Sequence, residues 1–122
     1  MAEALDFLGK LVMRSLRDPA IEFVDMLDAG RWKAPELSEL QRKFRNMDPD
    51  SRKLVRRVIR EAVDHSVHDF LFKLYENCEQ GKLNIERKGI KIHSLSDGFH
   101  GELFTEDGWQ ARFSKYGEGE GR

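Results

Sequence analysis

The apolar positions of the first eighty residues recur at helical spacing. Leu5, Leu8, Val12 and Leu16 lie on one face and predict a helix over about Ala2 to Leu16. Asp18-Pro19 reads as a cap followed by proline at the first helical position, which opens a second helix carrying Ile21, Val24, Met26 and Leu27. Gly30 closes it. After a connector containing Trp32, a third helix is expected from Pro35 to Asn46, with Leu37, Leu40 and Phe44 as its stripe. Asp48-Pro49 repeats the cap-plus-proline signature. It starts the dominant element, a helix from Pro49 to about Glu79 whose apolar set includes Leu54, Val55, Val58, Ile59, Val63, Val67, Leu71, Leu74 and Cys78. At about 100° per residue this set drifts around the axis, so different partners must cover its two ends. A bend near His65-Ser66 is compatible with that length.

Beyond Gly81 the period changes to two. Leu83, Ile85 and Arg87 alternate with Asn84 and Glu86, and Lys88-Gly89 suits a two-residue hairpin turn. That register pairs Ile85 with Ile92 and Glu86 with Lys91. A second hairpin is expected to join Phe99–Thr105 to Trp109–Phe113 through Glu106-Asp107-Gly108. The fold class is therefore α+β: an N-terminal helical layer of about four helices, the last one long, packed on a C-terminal three- or four-stranded antiparallel β-meander. Residues 1–115 are expected to form one domain, and residues 116–122 a disordered tail rich in glycine and glutamate.

Composition changes this picture little, but charge changes it more. The chain has 122 residues, 39% hydrophobic and 35% charged, enough for one core. A single cysteine excludes an internal disulfide, and no apolar run fits a membrane span or a leader, so a cytoplasmic location without membrane association is expected. The net charge of −1 conceals an asymmetry: residues 31–60 hold ten bases and four acids, between acidic flanks.

Four groups of residues could carry chemistry. The basic run Arg52, Lys53, Arg56, Arg57 and Arg60 sits in the first half of the long helix. Positive charge there opposes the helix dipole, so something anionic is expected nearby: an acidic protein, nucleic acid, or Asp6, Glu22, Asp25 and Asp28 of the same chain. Glu61, Asp64, His65 and His68 share an arc of that helix at spacings that can present two ligands to a metal, but no second Glu-x-x-His completes a site, and a solvated polar face is the simpler account. His93, His100, Ser94, Ser96 and Asp97 supply the residue types of a catalytic triad without a nucleophile elbow, and Ser96-Asp97-Gly98 reads as a turn. Trp32 and Phe104 are candidate interface anchors, whereas Cys78 falls on the core stripe.

No catalytic residues, bound metal or cofactor are expected. In general build the chain resembles small bacterial immunity and antitoxin-type inhibitors, which implies a non-catalytic protein-binding domain. Its partner surface would combine Arg52, Lys53, Arg56, Arg57 and Arg60 with Trp32 and Phe104 and meet an acidic protein. A nucleic-acid-binding accessory domain using the basic face of residues 42–60 is the alternative. A metal-dependent enzyme built on Glu61, Asp64, His65 and His68 is the second.

Overall fold

The computed structural model describes residues 2–117. About 71% of the described residues are helical, and the only β-structure among them is a two-stranded antiparallel ribbon. The expected α+β layering is therefore overturned: there is no three- or four-stranded meander.

The first departure from the sequence pattern lies at Asp18-Pro19. Helix α1 (Ala2–Val12) does not end before it. It runs through a π-turn at Met13–Arg17 directly into α2 (Asp18–Ala29), and Val12, Arg17 and Asp18 all keep right-handed helical angles. The Asp18 N–H reaches back five residues to the Met13 carbonyl. Proline cannot donate and crowds the preceding turn, so one widened turn absorbs Pro19 without breaking the rod. Gly30, in the left-handed conformation, then terminates α2.

Pro35–Leu37 form a 3-10 turn leading into α3 (Ser38–Arg45). Helix α4 spans Pro49–Glu79 without interruption. Asp48 caps it by accepting the Ser51 N–H at 2.8 Å, and Pro49 occupies the first turn. The drifting stripe of α4 is covered by two partners. Val55 and Ile59 pack with Val24, Leu27 and Phe44 of α2 and α3. Val67 and Leu71 pack with Ala4, Leu8 and Met13 of the N-terminal rod and with Ile92, Phe99, Leu103 and Trp109. Leu54 and Val58, assigned to the stripe from sequence, are instead 64% and 57% exposed.

The first hairpin forms as its turn chemistry requires. β1 (Glu86–Arg87) pairs with β2 (Ile90–Lys91), Glu86 opposite Lys91, with Lys88 and Gly89 both at positive φ. The Ile92 N–H bonds the Ile85 carbonyl, closing the expected apolar pair.

The second hairpin does not exist. Phe99–Glu102 is a 3-10 turn and Trp109–Phe113 is a short helix, α5. Phe99, Leu103 and Trp109 are all fully buried, and the first two are four residues apart, a helical rather than an alternating spacing. At Gly108 a Cβ would collide with the Phe104 and Leu103 carbonyls, so the chain folds back on itself there instead of extending. Trp109 in turn sits against Gly9 of α1, where a side chain would meet the indole at 2.6 Å.

Candidate functional site

The basic run of α4 divides into an inner and an outer set. Arg52 donates to Asp28 at 2.9 Å, and Arg56 reaches Asp25 at 3.0 Å and Asp28 at 3.7 Å. These two arginines tie α4 to α2 within the chain. Arg60 lies over the Tyr116 ring at 5.4 Å. Lys53 and Arg57 are exposed and flank the exposed Leu54 and Val58 on the outer side of the same helix. The outer face of the first half of α4 is thus aliphatic, with cations at its edge. Of the acidic residues expected opposite the run, Asp25 and Asp28 are there. Glu22 meets Lys115 at 3.3 Å, and Asp6 meets Arg112 at 3.1 Å.

The candidate aromatic anchors are placed differently from each other. Trp32 packs on Phe23 with ring centroids 5.5 Å apart, and its indole N–H donates to the Phe23 carbonyl at 3.1 Å. Gln41 brackets its backbone, accepting the Trp32 N–H and donating to its carbonyl. Trp32 therefore packs against the cluster of Val24, Leu27 and Phe44. Phe104 is 39% exposed and stacks on His68 at 6.4 Å. His100 stands edge-on to both His68 and Phe72, so these four rings form one surface cluster.

The proposed metal ligands do not converge. Asp64 points inward and binds the fully buried Arg17 at 2.7 Å. The His65 side chain is 78% exposed beside Glu61 at 3.7 Å, and His68 turns to Asp69 at 3.1 Å. Among the described residues no three His, Cys, Asp or Glu side chains are grouped to hold a metal. Nor do Ser94, Ser96, Asp97, His93 and His100 assemble. The Ser96 hydroxyl donates to Glu102 at 2.6 Å and accepts the Gly98 N–H, closing a turn. Ser94 donates to the Lys91 carbonyl, Asp97 is exposed, and His93 packs edge-on to Tyr75. Cys78 is buried in the core, where burial raises its thiol pKa and keeps it protonated.

A polar centre that sequence reasoning missed lies at the π-turn. Arg17 donates to both Asp64 oxygens, at 2.7 and 3.3 Å, to the Ser114 hydroxyl at 2.9 Å and to the Gly117 carbonyl. Ser114 donates to Asp18, whose second oxygen accepts the Lys115 N–H at 3.1 Å. The network joins residues almost a hundred positions apart and clasps the segment after α5 to the N-terminal rod. The only signal in the sequence was a proline within a helical pattern. Nothing local pointed to Ser114.

No helix among the described residues is long and apolar enough to cross a membrane. No family model, curated protein or solved structure matches the chain.

Proposed function

We propose that the chain is a non-catalytic protein-binding domain of the inhibitor or immunity type, and that it meets an acidic partner through the outer face of the first half of α4. The observation that carries this reading is Leu54 and Val58, 64% and 57% exposed on a helix whose other apolar residues nearby, Val55 and Ile59, are packed inward. Exposed aliphatics on a regular helix present a ready groove-filling ridge, and isolated ones are common enough that their pairing at i, i+4 is what matters. Lys53 and Arg57 beside them supply charge that the chain itself leaves without a carboxylate among the described residues. Such rim cations steer association with an acidic surface, while the buried aliphatics hold the complex. Arg52 and Arg56, engaged with Asp25 and Asp28, would set the helix in place rather than reach a partner.

The test is affinity purification of the wild-type chain in parallel with a Leu54→Asp/Val58→Asp variant and a Lys53→Glu/Arg57→Glu variant. One stoichiometric protein partner should be lost with the first variant. With the second it should be retained more weakly, with slower association and a flatter salt dependence. A partner retained equally by all three would refute this surface.

A further inference from the structure

A second surface, built from residues near both ends of the sequence, lies where α5 meets the N-terminal rod. Helix α5 lies against the N-terminal rod so that Phe113 is ringed by cations. The Lys10 ammonium is 5.6 Å from its ring centroid, the Arg14 guanidinium 6.0 Å and the Arg112 guanidinium 4.5 Å. Beside this ring opens a cleft of about 500 Å³, whose lining includes Arg14, Asp18, Glu22, Arg112, Phe113 and Lys115.

The charges of this cleft are unevenly matched. Arg112 is paired with Asp6 and Lys115 with Glu22. The Asp18 carboxylate is buried and already accepts from Ser114 and Lys115. Lys10 and Arg14 have no carboxylate partner among the described residues. Arg14 spends its Nε on the Phe113 carbonyl at 3.2 Å. That bond fixes the plane of the guanidinium and leaves its two terminal nitrogens without a protein acceptor among the described residues. An arginine anchored by one nitrogen with its fork free is arranged for bidentate recognition of a tetrahedral oxyanion. Like charges crowded around one ring repel one another, and a bound anion removes that repulsion.

We infer that Arg14, Arg112 and Lys115 form a binding site for a small phosphate-bearing molecule, with Lys10 adding to the field. Arg14 grips the phosphoryl oxygens through its fork, and Lys115 and Arg112 close on them as point charges from either side. The floor is the backbone around Phe113 and Ser114, held in place by the Arg17–Asp18 network.

The experiment is titration calorimetry of the full chain with inorganic phosphate, pyrophosphate and ADP at moderate salt, with sulfate at equal ionic strength as the ionic control. The expected result is saturable one-to-one binding of pyrophosphate or ADP, weakened at least tenfold by Arg14→Ala and by Lys115→Gln, and unchanged by Lys82→Ala beyond the C-terminal end of α4. Tighter binding of ADP than of pyrophosphate identifies a nucleotide as the source of the phosphate; equal binding identifies the diphosphate itself. All three replaced side chains are exposed, so circular dichroism should show unaltered folding. The inference is overturned by absence of saturable binding, by sulfate binding as tightly as pyrophosphate, or by affinity that survives both Arg14→Ala and Lys115→Gln. Binding of polynucleotide alone, with no affinity for any of the small probes, would also overturn it.

Discussion

Replacing Asp64 by leucine should be among the most damaging single changes in this protein. Its carboxylate and the Arg17 guanidinium are 5% and 0% exposed, and they meet in a near-bidentate geometry at 2.7 and 3.3 Å. The pair together stabilises the fold only modestly, because desolvation of two ions offsets most of their attraction. Removing one partner is different. Arg17 cannot discharge by losing a proton, so it would remain as a buried cation facing an aliphatic side chain, at a cost of about 3–5 kcal/mol. Against a total stability of roughly 5–15 kcal/mol, that is a large fraction. At about 4 °C per kcal/mol for a chain of this size, the melting temperature should fall by roughly 12–20 °C. The double variant Arg17→Met/Asp64→Leu removes both charges and should recover part of the loss, although Ser114 then loses its donor. The assay is thermal and urea unfolding of the wild type, both single variants and the double variant. A fall of less than about 4 °C for Asp64→Leu, or a double variant no better than the worse single, would refute the idea that this buried pair locks α4 to the π-turn.

Four further outcomes follow from the same geometry. Arg56→Glu places a third carboxylate beside Asp25 and Asp28 and should cost about 1–2 kcal/mol, whereas Arg57→Glu, one residue on but facing outward, should stay within about 0.5 kcal/mol; paired urea melts compare them. Gly108→Ala drives a methyl group into the Phe104 and Leu103 carbonyls and should destabilise by about 1–3 kcal/mol or more, with loss of near-ultraviolet dichroism from Trp109 as the readout. The Asp48 carboxyl is held below its ordinary value of 3.8, first by the Ser51 N–H and then by the Ser51 hydroxyl. Since folding lowers that pKa, the stabilisation is present above the unfolded value and is lost as pH falls through the folded one; Asp48→Ala should therefore lower the melting temperature at neutral pH, by a margin that shrinks on acidification below about pH 4. Cys78 should react with a thiol reagent only on the timescale of unfolding, because burial both shields the thiol and disfavours its thiolate; rapid labelling of the native chain would contradict its place in the core.

Local signals in the chain decide its structure where they are complete within a few residues. Asp48-Pro49 and Lys88-Gly89 are decided within four residues by capping and turn chemistry, and α4 and the β1–β2 ribbon stand where those signals put them. Asp18-Pro19 carries the same letters as Asp48-Pro49 and stands at the start of α2, but it neither caps that helix nor separates it from α1. The difference is tertiary: Asp18 is held by Ser114 and Lys115, so its carboxylate caps a distant segment rather than its own first turn, and the rod continues through the π-turn. The stretch from Phe99 to Phe113 departs from the expected hairpin for a related reason. Alternation over four or five residues also fits two short turns that bury Phe99, Leu103 and Trp109, and what excludes the strand is the contact of Gly108 with the carbonyls of its own chain.

The same distinction governs the functional surfaces. The basic run is visible in sequence as a count, but which of its members face α2 depends on where that helix lies. Arg52 and Arg56 turn inward to Asp28 and Asp25, and Lys53 and Arg57 are left outside. Their neighbours Leu54 and Val58 continue the apolar stripe, yet they are exposed because α2 and α3 cover only the Val55–Ile59 edge of it. The proposed phosphate cleft had no sequence signal at all, since Arg14 and Arg112 come from opposite ends of the chain and are brought together where Trp109 seats α5 on Gly9. That seating also separates the two surfaces. Gly9→Ala, by pushing the indole off α1, should disturb phosphate binding at Arg14 while leaving the partner face of α4, organised by α2 and α3, to work as before.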